Sequence, residues 1–139
     1  MLRRKTYNLI IGVALKIQPD RLDGVNVISR HEPGRIWVNA EAFDRSVLVP
    51  WRGEAEAWPA DALSALTPGH FEQVLALKPE LVIFGSGARL RFIAPALMRA
   101  LIERGIGVET MDTVAACRTY NVLASEGRSV VAALLLEKD

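Results

Sequence analysis

PELVIFGSGARLRFIAPALMRALIERGIGVETMDTVAACRTYNVL, residues 79–123, is the stretch whose reading decides the fold. Leu81-Val82-Ile83-Phe84 has no polar alternation, which marks a strand covered on both faces. Gly85-Ser86-Gly87 ends it in a glycine-rich turn. Ala94, Leu97, Met98, Leu101 and Ile102 then recur at i, i+3, i+4, i+7 and i+8, so the spacing predicts a helix with one apolar stripe. Pro95 suits its first turn and Gly105 its C-terminal cap. Gly107-Val108-Glu109-Thr110 reads as a second strand, and Met111-Asp112-Thr113 turns into another helix capped by Thr113 or by Asp112 before it. A strand–helix–strand unit of this length is a parallel crossover. Both turns then open at one edge of the sheet, where an open α/β domain keeps its binding crevice.

Working outward, residues 113–124 turn Ala116, Cys117, Tyr120, Leu123 and Ala124 toward the sheet. Arg118 and Asn121 fall on a neighbouring helical face, nearer the rim. Glu126-Gly127-Arg128 is a turn, and residues 130–136 form an apolar strand long enough to lie deep in the sheet. Upstream, residues 26–50 alternate short β-branched runs with the turns Glu32-Pro33-Gly34 and Asn39-Ala40-Glu41, the signature of a meander or a hairpin pair. Pro50 ends that region, because proline cannot donate to a ladder. A short helix over residues 59–66 and another over 71–77 complete the expected elements.

The chain has 139 residues, enough for one domain, expected over 19–139. Residues 1–18 read as a leader or an extra strand: Arg3-Arg4-Lys5 before the apolar run 9–15 imitates a secretory signal but lacks its cleavage site. A net charge of +1 supplies no global field for nucleic acid. The single cysteine, Cys117, excludes an internal disulfide framework and a cysteine-rich zinc site, and it suits a reducing, cytoplasmic setting. No apolar run approaches the ~20 residues of a membrane span.

The chemistry is sparse. Gly85-Ser86-Gly87 is open to two readings: a tight turn, or backbone N–H groups and a hydroxyl aimed at an anion. A dinucleotide fingerprint fails, because Leu90 stands where the third glycine belongs. Ser86 has only part of a nucleophile-elbow pattern, and His31 and His70 are the only histidines. No catalytic residue, metal ligand or cofactor is assigned. The candidate crevice comprises Gly85, Ser86, Gly87, Met111, Asp112 and Thr113, with Arg118 and Asn121 at its rim. Trp51 and Trp58 are candidates for a partner surface, with anchoring of their loop in the core as the alternative.

Leu81-Val82-Ile83-Phe84-Gly85-Ser86-Gly87, then Gly105-Ile106-Gly107-Val108-Glu109, then Asp112-Thr113-Val114-Ala115-Ala116-Cys117-Arg118-Thr119-Tyr120-Asn121-Val122-Leu123 carry a family resemblance. They resemble a family of small α/β proteins of unknown biochemical function that includes a mitochondrial assembly factor for respiratory complex I. The likeness covers about residues 29–136 and is most specific in the last sixty or so, with Ser86 in place of the family's usual threonine. It implies a three-layer α/β domain around a central mixed β-sheet with an added β-hairpin. With the crossover, this is the expected fold: three layers, one parallel βαβ unit and an N-terminal hairpin.

The expectation for function is a non-catalytic binding or assembly module acting on a protein partner, with a small anionic ligand in the crevice as a further option. A small enzyme or ligand sensor using Ser86, Thr113, Arg118 and Asn121 is the alternative. A homo-dimer is compatible with either.

Overall fold

The computed structural model describes residues 24–137, so the leader or extra strand expected of residues 1–18 lies outside the described residues. β1 (Ile28–Glu32), β2 (Arg35–Val38) and β3 (Glu41–Phe43) form an antiparallel sheet in that order, the expected hairpin extended by one strand. β4 (Val47–Val49), β5 (Glu56–Ala57), α1 (Pro68–Leu75), β6 (Leu81–Gly85), α2 (Arg99–Ile102), β7 (Gly107–Met111), α3 (Thr113–Ser125) and β8 (Val130–Leu134) follow. Five of these strands make the larger sheet, in the order β5-β4-β8-β6-β7.

β6 runs parallel to both β7 and β8, while β4 runs antiparallel to β8 and β5. The sheet is therefore mixed, and the unbroken apolar strands β6 and β8 hold interior positions. The crossover from β6 to β7 is joined by a second one: α3 packs on β6 and β8 and carries the chain from the β7 edge back into the sheet.

The two-residue period of the strands sorts their side chains into two cores. Ile83, Ala132, Leu134, Val47 and Val49 face Ala116, Cys117, Tyr120 and Ala124 of α3 and Ile28, Ile36 and Val38 of the smaller sheet. Val82, Phe84, Val131, Ala133 and Leu48 face Trp58, Phe71, Val74, Ile93 and Leu101. The result is three layers: α3 with the smaller sheet, the central sheet, and α1 with α2.

The helices differ from their sequence patterns. The stripe from Ala94 to Ile102 is realised as a 3-10 turn, Pro95–Met98, followed by the single turn of α2. Only Leu101 of the five is fully buried, and Ile102 is exposed. Residues at i and i+3 share a face at 3.0 and at 3.6 residues per turn, so five positions over two turns do not separate the two geometries. The helix expected over 59–66 shrinks to the 3-10 turn Leu63–Ala65. Conversely, α1 starts three residues before position 71. Pro68 is its first residue, and His70 Nδ1 accepts the Thr67 backbone N–H at 3.0 Å, a reciprocal cap.

Candidate functional site

The parallel register brings the two expected turns together. Ser86 N–H donates to Met111 O at 2.8 Å, and Thr113 N–H donates to Gly87 O at 2.9 Å, so the β6–β7 pairing continues into both turns. The Thr113 hydroxyl closes the junction: its Oγ1 accepts from Gly87 N–H at 2.9 Å and donates to Leu135 O at 2.9 Å. Gly85 is glycine for lack of space. A Cβ there would lie 2.9 Å from Thr113 Oγ1 and 3.0 Å from Thr113 Cα. Gly87 has φ +102°, a conformation that side-chain-bearing residues avoid.

These groups hydrogen-bond to one another and to the loop that follows. The fully buried Ser86 hydroxyl donates to Arg89 O at 2.6 Å and accepts from Arg91 N–H at 3.0 Å. At the start of α3, Asp112 Oδ1 accepts from Ala115 N–H at 2.9 Å, so a fixed carboxylate already answers the helix N-terminus. Gly85-Ser86-Gly87 has the local geometry of a tight turn.

What the turn holds is the loop after it. Arg91 donates to Ser86 O at 2.6 Å and pairs with Glu137 Oε1 at 2.5 Å, while Glu137 Oε2 accepts from Leu63 N–H at 3.1 Å. The hydrogen bond from Arg91 holds the Glu137 carboxyl below its ordinary range, outweighing the opposing effect of burial. Ile93 is buried in the core with Trp58, Phe71 and Leu101. Between these anchors Leu90 is 52% exposed and Phe92 is 73% exposed, beside an exposed Arg89. Sequence reading passed over Leu90 and Phe92. The available signal was the alternation Arg89-Leu90-Arg91-Phe92, which repeats large apolar residues where a glycine-rich loop is usually polar.

Arg118 and Asn121 do not join the turn. Both faces of the Asn121 amide are used on Ile28: Oδ1 accepts its N–H and Nδ2 donates to its carbonyl, each at 2.9 Å. Asn121 thus fastens the three-stranded sheet to α3. Arg118 is exposed on the outer side of α3, with no hydrogen bond or ion pair among the described residues. Cys117 beside it is buried, and burial pushes its thiol up to about 12 despite the opposing Arg118 charge.

The two tryptophans part company. Trp58 is only 2% exposed and stands edge-on to His70, Phe71 and Phe84, so it is a core pillar and offers no partner surface. Trp51 is half-buried; its Nε1–H donates to Ala124 O at 3.0 Å, and Arg52 stacks on its outer face. Next to Trp51, whose carbonyl accepts the Asn26 N–H at 2.9 Å, lies a polar cleft of about 360 Å³ lined by Asn26, Asn39, Glu41 and Glu54. The Asn26 and Asn39 amides there are bonded to each other and to backbone. Among the described residues no cluster of three or more His, Cys, Asp or Glu side chains could hold a metal ion. No helix among them is long and apolar enough to cross a membrane.

A mixed five-stranded sheet under α3 and a small antiparallel sheet, over two short helices, defines an α/β domain of the Mth938-like kind. A solution structure from Bordetella pertussis described as a Mth938-like domain is 30% identical, with a TM-score of 0.77 over 90% of this chain and 94% of that one. A crystal structure from Bordetella parapertussis is 36% identical, also at 0.77, over 83% of this chain and 98% of that one. The chain belongs to the family described as protein of unknown function (DUF498/DUF598), whose model matches residues 28–135. The bovine (Bos taurus) NADH dehydrogenase (ubiquinone) 1 alpha subcomplex assembly factor 3 is 39% identical over 80 residues, 56% of this chain. The match spans 44% of that protein's length.

Proposed function

We propose that this chain is a non-catalytic binding module that acts on a protein partner during assembly of a larger complex, as the relatives named complex I assembly factors do. One observation carries the non-catalytic half of the reading. The side chains best placed for chemistry, Ser86, Thr113 and Asn121, are each hydrogen-bonded as donor and as acceptor within the fold. Groups spent in this way build a rigid support rather than a reacting centre. The likeness to assembly factors supports the other half, and a cytoplasmic setting fits the single reduced cysteine. This reading does not call on a small anionic ligand, since Ser86, Thr113 and Asn121 are spent on the fold.

The test is genetic and biochemical together. The full chain, tagged at its own locus, is expected to co-purify with one or more defined respiratory complex subunits, and its deletion to lower the assembled complex while leaving subunit synthesis intact. Normal complex levels in the deletion strain, with no subunit recovered, would end this reading.

A further inference from the structure

Loops that expose two large apolar residues are normally mobile or folded over them. The loop after β6 is neither. Its backbone is tied by the Ser86 hydroxyl at Arg89 and Arg91, by the Arg91 guanidinium at Ser86 and Glu137, and by Ile93 in the core. Yet Leu90 and Phe92 stay largely in solvent, Phe92 being the most open large hydrophobic side chain among the described residues. A fixed loop with an outward aromatic has already lost the entropy that binding would otherwise cost, which is the usual condition of an interface anchor.

Charge narrows the occupant. Arg91 is paired with Glu137; Arg89, exposed at the same loop, makes no ion pair among the described residues. Its charge also acts on the Glu137 carboxylate, and the three groups together carry one net positive charge. The surface is therefore two apolar side chains with one net positive charge. A second copy with this same patch on the two-fold axis would bring two Arg89 charges into one interface, a like-charge cost. A lipid surface would gain about 3–6 kcal/mol at most from one Phe and one Leu, and a single acyl chain already binds membranes only marginally. A protein pocket that encloses the aromatic ring uses the same two side chains more fully.

We propose that Leu90, Phe92 and Arg89 form the surface by which this chain docks on its protein partner, seating Phe92 in an apolar pocket rimmed by carboxylates. The inference rests on the assembly-module reading and specifies which face of the module does the work.

A photo-crosslinking residue, p-benzoylphenylalanine, placed at position 92 of the full chain in its native cells tests it, with the same residue at Val122 as a control on another exposed face. The expected result is a crosslink from position 92, absent from 122, to one of the subunits recovered with the tagged chain, at a site flanked by Asp or Glu. Affinity for that purified subunit is expected to fall at least tenfold with Phe92→Ser and several-fold with Arg89→Glu. The Arg89→Glu loss should be reversed by a partner Glu→Arg at the crosslinked rim. Unchanged thermal unfolding of the variants separates lost docking from lost fold. A crosslink to a second copy overturns the proposal. So does sedimentation with phosphatidylglycerol vesicles that Phe92→Ser abolishes. Undiminished binding by Phe92→Ser overturns the docking surface but leaves the assembly role standing, whereas failure to recover any subunit removes both.

Discussion

The hydroxyl of Thr113 stands 2.9 Å from the backbone nitrogen of Gly87 and 2.9 Å from the carbonyl of Leu135, joining the ends of three parallel strands through one side chain. Thr113→Val keeps the shape and removes both bonds, leaving a buried donor and acceptor unpaired, so a loss of about 1–3 kcal/mol is expected. Thr113→Ser keeps the hydroxyl and should lose much less. Urea unfolding of the three proteins measures this, and equal midpoints for valine and serine would refute the role.

Gly85→Ala probes the same junction from the other side. The added methyl meets Thr113 backbone at 3.0 Å, which cannot rotate away, so about 1–3 kcal/mol of destabilisation is expected. A wild-type unfolding midpoint for this variant would show that the strands are free to separate there.

Asn121→Leu should act locally. Cutting both bonds to Ile28 frees the β1–β3 sheet from α3 before the central sheet is affected. Hydrogen exchange at residues 28–43 is expected to rise at least tenfold while β6 and β8 amides stay protected. A uniform rise across all strands would instead mean that Asn121 serves global stability.

Cys117 and Glu137 contribute to the pH response with opposite signs. Burial raises the Cys117 thiol to about 12, so its proton is held more tightly in the folded chain than in the unfolded one. Its contribution is full below the ordinary value of 9.0 and drains as pH rises from there toward about 12. The thiol should therefore ignore a disulfide reagent at pH 8 until urea exposes it, and rapid labelling of the native chain would contradict the burial.

Glu137 works the other way. Its carboxyl is held below the ordinary 4.5, so its contribution is present above that value and is lost as pH falls through the lower folded one. Glu137→Gln should flatten the acid limb of the stability curve and speed exchange at Arg91 and Leu63 amides. An unaltered acid limb would place the acid sensitivity elsewhere.

Much of the fold was legible in the order of residues, for reasons that differ by element. β6 and β8 announce themselves because burial on both faces leaves no position for a polar residue. α3 is legible through Asp112 at its cap and the inward face of Ala116, Cys117, Tyr120 and Ala124. α2 was misread because apolar spacing reports a shared face and not the number of residues per turn. Trp58 was drawn toward a surface role by its irregular, polar neighbourhood, although Phe71 and Phe84, which enclose it, are 13 and 26 residues further along the chain.

The sequence by itself determined that two parallel strands lie side by side and that their trailing turns meet, because periodicity and glycine placement are local properties of the chain. Only the tertiary structure decided which groups those turns hold. Whether the hydroxyl of Thr113 faces solvent or backbone depends on Gly87 and Leu135, which arrive from other segments of the chain. Folding turned those polar groups inward and left Leu90 and Phe92 outside, a distribution that hydrogen-bond satisfaction across the whole sheet imposes and that no local pattern contains.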